Sequence, residues 1–465
     1  MRRFEWFLVF GALFAVGWPA VFGVRTRRGI VAVTLLTLFV LHLQFEGLRW
    51  QMFPLYGAAL GLAIGDIIVV ERRHDWTSRI ARGIFGVAGM GLAAILPLAL
   101  PVPTLPLPSG PEAIGTLTFD LVDNEREEIY GPAPGGPRRL RVQVWYPAEP
   151  VEDVEPTPWS ADWEVVAPAV STLLGYPGWF LNYTRYTSSH AGPSLPAAPG
   201  TFPIVIYSHG WTGFRTIAVN QIENLVSHGY VVVALDHTYS AVATRFEEGD
   251  VVPYDSAVLP DEETVDAEAY LAASQSLMEV YVADLITVLN AIDQGEAGPF
   301  GALSATADAS RIGIYGHSTG GGAAVEVCLL DERCDAVLGL DPWVEPIPDR
   351  TIAASATRPA LFMRSDEWRE TENDAVLRGI AERSENITYW VGVEGANHND
   401  FTIAPLLSPV TEQLGLTGTI PAGRVIPIVD RYVLGFFDVF LLETGSAALD
   451  TASFDEVSIE VVRPD

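Results

Sequence analysis

The stretch Arg311–Ala324, RIGIYGHSTGGGAA, sets a single hydroxyl between an apolar run and a glycine-rich one. Within it Gly316-His317-Ser318-Thr319-Gly320 fits G-x-S-x-G, placed where a strand would end and a helix begin. In that context the serine occupies a tight turn that lifts its hydroxyl above a sheet. The flanking glycines leave room for neighbouring backbone. Such a hydroxyl attacks a carbonyl only when a base takes its proton and a third group orients the base. The chain order that accompanies this turn is serine, acid, histidine. Of eight histidines only His398, in GANHNDF, follows Ser318, which makes it the candidate general base. His317 cannot serve, because adjacent residues on the turn point apart. Two carboxylates compete to orient the ring: Asp341 ends AVLGLD and Asp366 ends ALFMRSD, and position alone leaves both open. Asp400 lies too close to His398 in sequence to turn back on it.

The developing oxyanion needs two amides. The amide of Thr319 is one candidate. The loop SHGWTG (208–213) supplies the other, with His209-Gly210 bringing the backbone close and Trp211 offering its N–H. His209 and His237 end earlier apolar runs, where hydrogen-bonded structural imidazoles are the expectation.

These residues need a frame. RLRVQVWYPA (139–148) alternates with period two, as a half-buried strand does. FPIVIYSHG (202–210), YVVVALDH (230–237), RIGIYGHS, AVLGLDPW (336–343), PALFMRSDEW (359–368) and ITYWVGVEGANH (387–398) are continuous apolar runs, and a helical stretch covers about 267–294. Continuous strands with intervening helices predict a mostly parallel α/β sheet covered on both faces. Every candidate residue sits at a strand's carboxyl end, where such sheets bind ligands.

Residues 1–100 differ in kind. Apolar runs at 5–24, 30–45, 52–70 and 83–100 have about the length that crosses a bilayer, with Trp6, Trp18, Trp50, Tyr56 and Trp76 near their ends. A cleaved leader would account for the first run alone, so a bundle of about four transmembrane helices is expected. The two loops on one side hold Arg25, Arg27, Arg28, Arg72, Arg73, Arg79 and Arg82, against Arg2, Arg3 and Arg49 on the other. The arginine-rich side should be cytoplasmic, which puts both termini and the catalytic part outside; an odd number of crossings would invert this. Asp66 and His42 are the ionisable residues inside the runs, and the expectation is an anchor rather than an ion path. A proline-rich linker (101–115) precedes the globular part (116–465).

Beyond residue 100 the chain carries 53 acidic and 18 basic residues and no lysine, which argues against nucleic acid as a partner. Cys328 and Cys334 have no His/Cys cluster around them, so no metal site is expected. A short-loop disulfide and two buried thiols both remain open.

YSHGWTGFRT, LVSHGYVVVALDHTYSA, GHSTGG, GLDPWVEP and GANHNDFTI resemble, in order, the motifs of the platelet-activating-factor acetylhydrolase family (isoform II, or plasma, type) of the α/β-hydrolase superfamily. The resemblance spans about residues 114–445. It implies an α/β-hydrolase fold, a serine carboxylic ester hydrolase without metal or organic cofactor, and a lipid or other small ester as substrate. It places the family's nucleophile on Ser318, its acid on Asp341, its histidine on His398 and its oxyanion amides on Trp211 and Thr319. The chain departs from the family at Thr319, where phenylalanine is common, and in its four N-terminal runs. Residues 151–200 would supply lid and acyl-pocket contacts. The rival readings are an acyltransferase using the same acyl-enzyme, and a non-catalytic scaffold.

Overall fold

The computed structural model describes residues 1–22, 29–68, 76–132, 134–353, 356–444, 449 and 454–463. The chain forms two compact units.

The first comprises residues 1–103 with two short returning segments, 182–186 and 407–410. Its four helices are α1 (Arg3–Phe22), α2 (Ile30–Phe45), α3 (Phe53–Ile68) and α4 (Trp76–Ala99). α4 starts ahead of the apolar run at Gly83, so Arg79 and Arg82 lie in its first turns rather than in a loop. Arg25, Arg27, Arg28, Arg72 and Arg73 fall outside the described residues. Leu8, Leu35, Leu55 and Met90 turn inward together with small side chains (Ala12, Ala32, Ala59, Ala63, Ala93), while Phe7, Phe14, Val33, Phe85 and Leu92 face outward. Polar groups gather at one end. Arg49 makes a two-pronged contact with buried Glu5 at 2.6 and 2.8 Å and donates to the carbonyl of Leu100 at 2.6 Å. His42 bridges Glu46 (3.0 Å) and Tyr56 (2.5 Å). Asp66 accepts from the amides of Gly29 (2.9 Å) and Ala32 (3.3 Å), so it caps the start of α2 from a neighbouring helix. The returning segments are pinned here as well: Tyr186 Oη donates to the Leu48 carbonyl at 2.9 Å and Ser408 Oγ to that of Ala99 at 2.5 Å.

The second unit holds β1 (Ala113–Glu127), β2 (Pro137–Ala148), β3 (Ala191–Pro193), β4 (Phe202–Ser208), β5 (Val231–Asp236), the hairpin β6 (Ala243–Arg245) and β7 (Val251–Pro253), β8 (Ala307–His317), β9 (Ala336–Leu340), β10 (Ala360–Ser365), β11 (Thr388–Val393) and β12 (Val457–Val462). Ten of them form one sheet in the order β12-β11-β10-β9-β8-β4-β5-β2-β1-β3. From β11 to β5 every pairing is parallel, and β2 and β12 add antiparallel flanks. β1 begins at Ala113, so the proline-rich linker gives up its last residues to the sheet. Helices α5 (Trp163–Leu173), α6 (Val219–Ser227), α7 (Ala267–Asp293), α8 (Thr319–Leu330), the single turn α9 (Asp349–Ile352), α10 (Glu372–Glu382), the turn α11 (Ala404–Leu407) and α12 (Ala422–Phe440) complete the chain, α11 ending in a returning segment.

Period-two alternation splits each central strand between two cores. Ile204, Ile206, Ile312 and Ile314 pack with Leu277, Tyr281 and Leu285 of α7 on one face. Val205, Tyr207 and Tyr315 pack with Ile222 of α6 and Val429, Phe436 and Phe437 of α12 on the other. With both faces covered, only the strand ends are left to carry polar chemistry.

Candidate active site

β8 runs as an apolar strand into the turn, and α8 starts one residue after the serine. Ser318 takes φ 57° and ψ −124°, a left-handed conformation that costs a non-glycine residue energy. Its N–H donates to the Leu340 carbonyl at 3.0 Å, and its own carbonyl accepts from Trp343 at 2.9 Å, so the end of β9 braces the turn. A Cβ on Gly316 would sit 2.4 Å from the Gly320 backbone, and one on Gly320 would sit 2.2 Å from the Ser208 carbonyl oxygen. Glycine is therefore required by close backbone approach at both places.

Asp341 lies one residue past β9, also at positive φ (43°), and is fully buried. Ser365 fixes its carboxylate, the N–H donating to Oδ1 at 2.8 Å and Oγ to Oδ2 at 2.6 Å. His398 Nδ1 donates to the same Oδ2 at 3.1 Å. Asp366 makes no such bond among the described contacts. It accepts from the Gly395 amide at 2.6 Å and pairs with Arg369 at 3.0 Å. Asp400 caps its own turn, accepting from the Asn397 and Gly418 amides at 2.7 Å each.

His398 opens a short turn after β11 and is held from several sides. Its N–H donates to Glu367 Oε2 at 2.9 Å, and Trp368 stacks on its ring at 4.4 Å with 6° between the planes. His317 Nε2 donates to the His398 carbonyl at 2.8 Å. Burial lowers the His398 pKa, with Glu367 opposing. Burial likewise raises that of Asp341, opposed by the two Ser365 hydrogen bonds. At neutral pH the ring is thus an uncharged acceptor at Nε2, and the carboxylate stays ionised. Ser365, Glu367 and Trp368 escape sequence reasoning, and His317, set aside there as a base, instead bonds the His398 main chain. Only the position of Ser365, beside Asp366 at a strand end, could have singled it out.

Thr319 is the first residue of α8, so its N–H has no acceptor within the helix. The 208–213 loop lies against the turn, since a Cβ on Gly210 would come 2.8 Å from Ser318 Cβ. A metal would find little here. Among the described residues, Glu5, His42 and Glu46 bring potential ligand atoms within 4.8 Å of one another, but Arg2, Arg49 and Tyr56 already occupy them.

A solved structure of a ferulic acid esterase from Streptomyces cinnamoneus has a similar chain path, with TM-score 0.63, 28% identity, and coverage of 77% of this chain and 99% of that one. Fold and likeness together define an ester hydrolase of the α/β-hydrolase class. Residues 134–444 match the family described as platelet-activating factor acetylhydrolase, isoform II, and the chain belongs to that family. Among its relatives are a platelet-activating factor acetylhydrolase of Gallus gallus, 25% identical over 72% of this chain and 83% of that protein, and a probable 1-alkyl-2-acetylglycerophosphocholine esterase of Arthroderma benhamiae, 25% identical over 72% and 88%. The protein is accordingly a serine carboxylic ester hydrolase.

Proposed function

We propose that this chain is a membrane-anchored esterase that works through an acyl-serine intermediate, with its catalytic unit outside the cytoplasm. The observation that carries the chemistry is the 3.1 Å bond between Asp341 and His398, which follow β9 and β11 at the carboxyl edge of the sheet, both on one side of β8 and its Ser318 turn. Ser318 Oγ attacks the ester carbonyl and passes its proton to His398 Nε2. Asp341 holds the ring through Nδ1 and stabilises the imidazolium. The Trp211 and Thr319 amides bind the tetrahedral oxyanion. Collapse expels the alcohol, which takes the proton from His398. Water then attacks the acyl-serine, with the same ring as base, and the acid leaves.

The names of the relatives favour a lipid ester, such as a short-acyl phospholipid, as substrate. Anchoring rests on the large apolar side chains that α1 to α4 turn outward, a surface suited to lipid. α2 is short for a span at 16 residues. The outside placement rests on the arginine count and on a Cys328–Cys334 disulfide, a bond that persists in oxidising compartments. The test is labelling with a membrane-impermeant fluorophosphonate. Parent protein should label on intact cells and Ser318→Ala should not. Labelling only after lysis would reverse the topology, and full p-nitrophenyl acetate turnover by Ser318→Ala would end the acyl-serine reading.

A further inference from the structure

Behind the 208–213 loop lies a buried polar chain that the mechanism above does not use. His209 and His237 are both fully buried, as is Asp284 on α7. Burial lowers the pKa of each ring, so both are neutral and each carries one ring N–H. Burial alone would raise Asp284, but Arg138 beside it and the Arg138 and His237 hydrogen bonds hold it far below the usual carboxylate range.

The neighbours then dictate where each proton sits. The main-chain N–H of His237 donates to His209 Nε2 at 3.1 Å, and a backbone amide can only donate. His209 therefore carries its proton on Nδ1, which donates to the Gly210 carbonyl at 2.7 Å. In the same way ionised Asp284 Oδ2 accepts a hydrogen bond from His237 Nδ1–H at 2.9 Å, leaving Nε2 to accept from Ser208 Oγ at 2.9 Å. Arg138 and Arg126 clamp Asp284 with contacts of 2.7 Å each. Tyr281 stacks on the His237 ring at 3.7 Å, so the chain has little freedom to rearrange.

The end of this chain is the consequential part. The Gly210 carbonyl receives both His209 Nδ1–H and the Gly213 amide at 2.9 Å. In a trans peptide the C=O and the following N–H point in opposite directions. Turning the Gly210 carbonyl toward the His209 ring therefore turns the Trp211 N–H away from it. Gly210 itself packs on Ser318, and that N–H belongs to the residue immediately after it. We infer that His209, locked in its Nδ1–H tautomer by the His237 main chain and the Asp284-anchored ring behind it, is a positioning residue that aims the Trp211 amide at the oxyanion. This rests on the acyl-serine reading of Ser318.

Two substitutions separate aim from bulk. In His209→Asn the side-chain amide lies near the position of Nδ1 and still donates to Gly210. In His209→Gln it lies near Nε2 and does not. Turnover of p-nitrophenyl acetate is measured on the full detergent-solubilised chain, per site titrated to completion with a fluorophosphonate. Affinity for an alkyl trifluoromethyl ketone, which forms a tetrahedral adduct needing the same amide, is measured alongside. His209→Gln should lose about 10²-fold in kcat with KM little changed, the ketone Ki should rise by the same factor, and His209→Asn should recover about tenfold or more of the loss. Thermal unfolding is followed for both variants. If His209→Gln folds poorly, the match between kcat and Ki in the folded fraction still decides. Equal losses for Asn and Gln, or a kcat loss without a matching change in Ki, would overturn the inference. Loss of activity in Ser318→Ala with parental behaviour in His209→Gln would remove this inference alone, whereas an active Ser318→Ala would remove the reading beneath it.

Discussion

The residue before the proposed nucleophile holds the proposed base: the His317 ring donates from Nε2 to the main-chain carbonyl of His398 at 2.8 Å, with the two rings 4.3 Å apart. His317 is buried and its pKa is pulled down to about 3, mainly by that burial, so it stays neutral and acts as a fixed strut. The two loops are thereby tied together without a charge being placed next to the base.

Cutting that strut should misplace the base. His317→Leu is expected to lower kcat about tenfold with KM little changed. His317→Gln, whose amide nitrogen reaches the same carbonyl, should retain most of the rate. Steady-state kinetics on p-nitrophenyl acetate checks both, and equal losses would assign His317 to packing alone.

The two aspartates at neighbouring strand ends should behave very differently. Asp341→Asn leaves His398 without its charged partner and should cost roughly 10³–10⁴ in kcat. Asp366→Asn, bonded to Gly395 and Arg369, should leave kcat near the parent value. A reversed ranking would transfer the orienting role to Asp366.

The pH profile follows from burial. Lowering the His398 pKa keeps the ring unprotonated into acid, so the acid limb of kcat/KM should fall below the ordinary histidine value of about 6.5. Raising the Asp341 pKa acts in the same acid range, where protonation of the carboxylate would remove the ring's partner. Rates measured from pH 4 to 9 test this, and a limb centred above 6.5 would contradict it.

The disulfide closes a short loop between the end of α8 and the start of β9, with sequence separation 6. Replacing both cysteines by alanine should cost about 2 kcal/mol of unfolding free energy, the chain-entropy value for so small a ring. Denaturant unfolding of the parent, the double variant and the reduced parent measures it. The bond lies at the far end of α8 from Ser318, so kcat should stay near the parent value.

Local chemistry was the most legible part of this protein. The serine turn could be read because its requirements fall within five consecutive residues, and the parallel strands because their apolar runs are continuous. β1, β3 and β12 were not read. β1 ends in DLVDNERE, where Asp120 and Asp123 are paired with Arg141 and Arg126 while Glu125 and Glu127 face solvent, a charged pattern that does not read as a strand, and β12 is a six-residue edge strand beyond the last motif. Position alone left Asp341 and Asp366 open because both end adjacent strands, and only the family resemblance favoured Asp341. What separates them is Ser365, which grips one carboxylate through space, 24 residues away in the chain. The cysteine pair stayed open for a similar reason, since pairing depends on where α8 stops. The two histidines expected to be structural are hydrogen-bonded as anticipated. Their link to the Gly210 carbonyl is a matter of which way a peptide faces, and no composition or spacing encodes that.

The 208–213 loop and the serine turn approach through glycines, since Gly320 meets the Ser208 carbonyl and Gly210 meets the Ser318 Cβ and the His317 carbonyl. At Gly320 the contact is main chain against main chain, which rotamer changes elsewhere do not alter. A side chain added at either glycine would push the two loops apart, so the width of this seam is set by the backbone itself.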